Sequence, residues 1–157
     1  MNKLKVYLVG AISEDKATHE WRIWATKRLK DKFDINDPAA SKFDRETLKE
    51  SGGDYEKMRK LVASHQAEIL LPKSYQSIER ADIILVNLAL EPKHRPMIGT
   101  LMEIAWAYYA HKTIIAIRGD NYYSKHPMIV GCIHAWGDSV DEVVAILEEF
   151  FTSKELK

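Results

Sequence analysis

The chain has a single cysteine, Cys132, in 157 residues, so neither an intramolecular disulfide nor a cysteine-based zinc framework is available. A reducing compartment follows, with the cytoplasm as the expected location. Charge of one sign is also missing: Lys+Arg and Asp+Glu stand at 23 each, which argues against the broad basic surface that nucleic-acid binding needs. Long hydrophobic runs are absent too. The first apolar run, Val6-Tyr7-Leu8-Val9, is too short for a signal-peptide core or a membrane span, so no membrane partner is expected. The six histidines (His19, His65, His94, His111, His126 and His134) show no His-Glu-x-x-His and no close pair on one helix face, so no metal site is expected. Gly10-Ala11-Ile12-Ser13 is neither a dinucleotide fingerprint nor a Walker loop. No cofactor is therefore expected.

What is present is an ordinary globular balance of 46% hydrophobic and 29% charged residues, enough for one domain over residues 1–157. Val6–Val9 reads as a buried strand that delivers the small-residue turn Gly10–Ser13. Trp21, Trp24, Ala25, Arg28 and Leu29 recur at helical spacing between about Ala17 and Lys32. Phe33–Asn36 reads as a short strand stopped by Asp37-Pro38. Residues 41–73 are charge-rich, broken by Ser51-Gly52-Gly53, with a helical stretch near Tyr55–Ala67; they form a lid or a solvated excursion. After Pro72 the pattern predicts a short helix around Tyr75–Arg80, a buried strand Ile83–Leu88, a loop Glu91–Pro96, an apolar helix Gly99–Ala110, a buried strand Thr113–Ile117 and an amphipathic helix Val140–Phe151. Alternation of this kind gives an α/β fold around a parallel sheet. Ligands of such sheets sit beyond the carboxyl ends of the strands, which nominates the loops Gly10–Ser13, Asn87–Gly99 and Arg118–Met128.

Glu103 is the most informative residue, because it is the only formally charged side chain from Pro96 through Ala110. A carboxylate in that run is largely desolvated unless it is paired. Two readings stand side by side. Thr100-Leu101-Met102-Glu103 matches a capping box, with Thr100 as the cap. Alternatively, a carboxylate in the first helical turn, ionised by the helix dipole and facing a cleft, suits nucleophilic attack on an electrophilic carbon. The remaining candidates have blander readings: Asp82 a helix–strand junction, Cys132 a buried thiol, and the four tryptophans core or interface, although one could stack on a base.

Several segments together resemble the nucleoside 2-deoxyribosyltransferase superfamily, which includes nucleoside deoxyribosyltransferases and nucleotide N-glycosidases. They are Lys5–Ile12, Trp21-Arg22, Ile78–Asn87, Gly99–Ala107 and His126-Pro127, in the family's order. The resemblance implies a flavodoxin-like three-layer sandwich and a double displacement. Glu103 matches the family nucleophile, attacking C1′ of the sugar to form a glycosyl ester that a second base or water resolves, with retention of configuration. Tyr7 matches a tyrosine that orients that carboxylate; as residue chemistry alone it is equally a strand-core tyrosine. Substrate contacts fall on Gly10, Ile12, Ser13, Arg22, Ser74, Asn87, Arg95, Met97, Gly99, Thr100 and His126. Family members are usually homo-oligomers, so at least a dimer is implied.

Two positions depart from that pattern. Active members commonly carry an aspartate where this chain has Ser74, and a serine alone does not protonate a leaving purine at neutral pH. Six residues before the nucleophile, transferases tend to show Asp and nucleotide hydrolases Ser, whereas this chain has Met97. Lys93-His94-Arg95, Arg22 and Lys125-His126, with the helix amides at Gly99-Thr100, tilt the expected substrate from a nucleoside toward its 5′-monophosphate; a solvated loop at 93–95 is the alternative. Ser74 and Met97 also support a rival of another class, a weak or inactive nucleotide-binding module.

Overall fold

A computed structural model describes residues 2–13, 15–40, 67–93 and 95–151, with positions 50, 56, 57 and 60 besides. Most of the helical stretch expected near Tyr55–Ala67, and His94, lie outside the described residues. Five parallel strands are present: β1 (Lys5–Gly10), β2 (Asp34–Asn36), β3 (Ile83–Asn87), β4 (Thr113–Ile117) and β5 (Ala135–Gly137). Their order is β2-β1-β3-β4-β5, all neighbours parallel. This is the doubly wound order of flavodoxin-like sheets, whose switch point lies between β1 and β3. Gly10 and Asn87, which end those two strands, are register partners.

The helices are α1 (Ala17–Leu29), α2 (Ala67–Arg80), α3 (Ile98–Tyr109), α4 (Pro127–Val130) and α5 (Val140–Phe150). Alternation along each strand sends side chains to two separate cores. Tyr7, Val9, Ile84, Val86, Ile114 and Ala116 face α2 and α3. Val6, Leu8, Ile83, Leu85, Ile115 and Ile117 face α1 and α5. Both faces being covered explains why β3 reads as a continuous apolar run with all five residues buried.

One expected boundary changes and two short elements are added. α2 begins before Pro72 and runs through it; proline's φ suits a helix, and one backbone hydrogen bond is forgone. β5 and α4 carry too few residues to show a period, although His126-Pro127 is a start signal, with His126 capping and Pro127 at the first helical position. Trp24 is 43% exposed, outside both cores, and donates its indole N–H to Asp141. The C-terminus of α3 closes on His111 at φ 58°, with the Lys112 amide bonded to the Ala107 carbonyl and the His111 amide to that of Tyr108.

Candidate active site

The site grows from the start of α3. The helix begins at Ile98, with Met97 at the capping position making no side-chain cap, and no acidic residue falls in its first turn. Met97 is buried, and its amide is held by the Tyr123 hydroxyl at 3.1 Å. The helix thus starts earlier than the capping-box reading requires. Thr100 is inside it and buried, and Glu103 lies in the second turn. A capping box of nearly that form exists instead at α5, where Ser139 accepts from the Glu142 amide and the Glu142 carboxylate accepts from the Asp138 amide.

One turn into α3, the Glu103 side chain reaches inward to β1. The residue is half-buried, yet Oε2 is out of reach of solvent and has no hydrogen-bond partner. The Tyr7 hydroxyl hydrogen-bonds the carboxyl, and Ser74 of α2 in turn hydrogen-bonds Tyr7. Desolvation raises the Glu103 pKa to about 7, against the smaller opposing pull of the Tyr7 hydrogen bond and the Arg22 charge. The expectation that the helix dipole sets the charge of this carboxyl is therefore corrected: the dipole's influence is concentrated in the first turn, Glu103 lies in the second, and burial pushes its pKa up. Burial, and then the neighbouring carboxyl, push the Tyr7 phenol well above its ordinary value.

The cleft beside these groups has a volume of about 1130 Å³, and its lining includes Tyr7, Gly10, Ile12, Arg22, Ser74 and Glu103. It follows the β1–β2 side of the sheet between α1 and α2, with Lys73, Ser77 and Asp37 also on its walls. Arg22 is 1% exposed and its donors face the protein: Nε to the Thr18 carbonyl, Nη1 to Leu8 O and Asp37 Oδ1, and Nη2 to Gly10 O at 2.8 Å. It staples α1 to the end of β1 while lending a positive charge to Glu103. Asp37, which sequence reasoning read only as a strand stop, is its ion-pair partner at 3.0 Å. The available signal was a carboxylate just past a strand end, beside the nominated cleft.

Ser13, Asn87, Arg95, Met97, Gly99, Thr100 and His126, expected to contact substrate, are not among the residues that line this cleft. Gly10 allows the close approach of β1 to β3, because a Cβ there would meet Asn87 O at 3.2 Å and the Trp21 ring at 3.3 Å. Asn87 closes its own turn by accepting from the Ala89 amide. Ser13 is buried and accepts from the Asp15 amide. Arg95 donates to the Ile12 carbonyl and so braces the β1 loop against the β3 loop. Gly99 is exposed with open space around its Cα. His126 accepts from the Met128 amide as the α4 cap, and Lys125 pairs with Asp120. Asp82 accepts from the Lys5 amide at the opposite, amino end of the strands, which is its structural role. Cys132 is half-buried rather than buried, with its thiol bonded to the Met128 carbonyl. Among the described residues, no three His, Cys, Asp or Glu side chains gather as a metal site, and no helix is long and apolar enough to cross a membrane.

No protein-family profile matches the chain, and no curated protein is significantly similar to it in sequence. Solved structures are similar. The CMP N-glycosidase BcmB of Clostridium botulinum is 17% identical over 92% of this chain and 97% of its own, with a TM-score of 0.56. A 2-desoxiribosyltransferase from Leishmania mexicana is 15% identical over 73% of this chain and 63% of its own, with a TM-score of 0.48. Identity at this level speaks for architecture alone: the chain has the flavodoxin-like α/β fold that a CMP N-glycosidase also has.

Proposed function

We propose that this chain is a member of the nucleoside 2-deoxyribosyltransferase superfamily and cleaves or transfers the N-glycosidic bond of a nucleoside or nucleoside 5′-monophosphate through a glycosyl ester on Glu103. The observation that carries this reading is the buried, unpartnered Oε2 of Glu103 beside a cleft that the Glu103 side chain helps to line. An unsatisfied carboxylate oxygen is costly to maintain in a folded protein, and such groups concentrate where chemistry uses them. Tyr7 fixes the other side of the carboxyl, and the cleft reaches Gly10 and Ile12 at the carboxyl end of β1, one of the two strands that flank the switch point of sheets of this order. The activity named for the Clostridium botulinum structure is of the same chemical kind.

Incubating the protein with a panel of ribo- and deoxynucleosides and their 5′-monophosphates tests the reading. Free base is expected from at least one compound, and added second base separates transfer from hydrolysis. Stabilisation by a panel member with no base released from any would overturn the enzymatic reading in favour of a binding module. The same panel compares each nucleoside with its monophosphate, a comparison sharpened by the engagement of Arg22 with Leu8, Gly10 and Asp37.

A homo-oligomer is part of this reading. Ile98, Met102, Ala105 and Tyr109 form an exposed stripe at helical spacing on α3, with Ile98 60% and Tyr109 83% exposed. Tyr75 of α2 meets Trp106 edge-on at 5.9 Å and extends that apolar surface. Light scattering of the purified chain is expected to give at least a dimer; a monomer at micromolar concentration would remove the oligomer from the proposal.

A further inference from the structure

Breaking an N-glycosidic bond takes a proton as well as a nucleophile, because a base that departs as an anion is a poor leaving group. General acid assistance to such a step contributes roughly 10²–10⁴-fold. Among the described residues the carboxyls lining the cleft are Asp34, Asp37 and Glu103. Asp37 is engaged by Arg22 and the Ala39 amide, and Asp34 stands at the amino end of β2, in register with Lys5. Among the described residues, the α2 wall presents Lys73, Ser74, Ser77 and Arg80 and no carboxyl. What the site does hold is a hydrogen-bonded chain in which Ser74, on the cleft wall, donates to Tyr7 and Tyr7 donates to the Glu103 carboxylate; with Glu103 protonated, both hydroxyls turn so that the carboxyl donates to Tyr7 and Tyr7 to Ser74.

We infer that Tyr7 and Ser74 relay the carboxyl proton of Glu103 to the departing base, so that one step both protonates the leaving group and frees the nucleophile. The inference rests on the N-glycosidic reading given above. The Glu103 proton passes to the Tyr7 oxygen, the proton Tyr7 already carries passes to Ser74 Oγ, and the Ser74 proton passes to the base. The base keeps the electron pair of the broken C1′–N bond, and the Glu103 carboxylate forms the new bond to C1′. Tyr7 and Ser74 each end with one proton, as they began. A serine is not by itself an acid at neutral pH, and in a relay it does not have to be.

Two properties of the site fit this path. With a pKa near 7, Glu103 is available in its protonated form at neutral pH. Tyr7 is held far from ionisation, so it passes a proton without giving one up. The groups acting on the Glu103 carboxyl are Tyr7 from β1 and Arg22 from α1; α2 adds Lys73 and Arg80 on the cleft wall, and β3 and β4 bring no ionisable side chain.

The test compares two glycosides of the same sugar. One carries the ordinary base identified by the substrate panel; the other carries a pyridinium, which departs as neutral pyridine and takes no proton. Ser74→Ala is expected to raise the ratio of the two rates, pyridinium over ordinary base, by about 10²-fold or more, and Ser74→Thr, which keeps the hydroxyl, to restore it. In the native chain kcat/KM for the ordinary base should fall as pH rises through about 7, while that for the pyridinium glycoside should rise through the same region. A Ser74→Ala chain that slows both substrates equally, or neither, overturns the relay while leaving the nucleophile standing. A native chain that cleaves neither glycoside overturns the N-glycosidic reading and the relay with it.

Discussion

Replacing Glu103 with Gln is expected to reduce base release by on the order of 10⁴-fold or more, because the amide is no nucleophile toward C1′. The same variant should be more stable than the native chain at alkaline pH. Burial raises the Glu103 pKa from 4.5 to about 7, so the folded chain retains a proton that the unfolded chain releases. The stability contributed by the neutral carboxyl is complete below pH 4.5 and is lost as pH rises through 7. At pH 8 the ionised, desolvated carboxylate costs about 3 kcal/mol, which Gln does not incur. Thermal melts at pH 8 should place the variant roughly 5–10 °C above the native chain, with the two converging near pH 5. Undiminished base release would refute Glu103 as nucleophile; equal melting temperatures at both pH values would refute its raised pKa.

Arg22→Met is expected to destabilise the fold by about 3–5 kcal/mol, because it strands Asp37 and leaves the Leu8 and Gly10 carbonyls without their donor. Arg22 is almost fully enclosed and Asp37 is 13% exposed, so water cannot readily take over these bonds. Lysine is a poor replacement, since one ammonium does not reproduce a planar fork that reaches several separated acceptors. Adding Asp37→Asn to Arg22→Met should recover part of the loss by removing the unpaired charge, and urea unfolding of the single and double variants measures that coupling. A loss below about 1 kcal/mol for Arg22→Met would show that the network carries little of the stability. In variants that remain folded, loss of the Arg22 charge should raise the Glu103 pKa further.

The regions of the sequence with strong period and composition anticipated the structure best. Ile83–Asn87 and Thr113–Ile117 stood out because strands covered on both faces are apolar throughout. Ala135–Gly137 escaped notice because three residues show no alternation. Glu103 is conspicuous as the lone charge in an apolar helix, but its place in that helix is not legible: the first helical residue decides which turn it occupies, and the buried Met97 at that end is held by Tyr123, a contact between distant segments. Arg22 was noticed and Asp37 was not, since their pairing depends on α1 lying beside the end of β2. Local pattern locates groups along the chain, and tertiary contacts settle what those groups are bonded to.

Arg95 to the Ile12 carbonyl, and Asn121 to the Leu88 carbonyl at 2.6 Å, join the loops that follow β1, β3 and β4. Preorganisation is the consequence. Each bond fixes one loop against the next, so the entropy lost in ordering these loops belongs to folding and is not lost again on binding at the site proposed above.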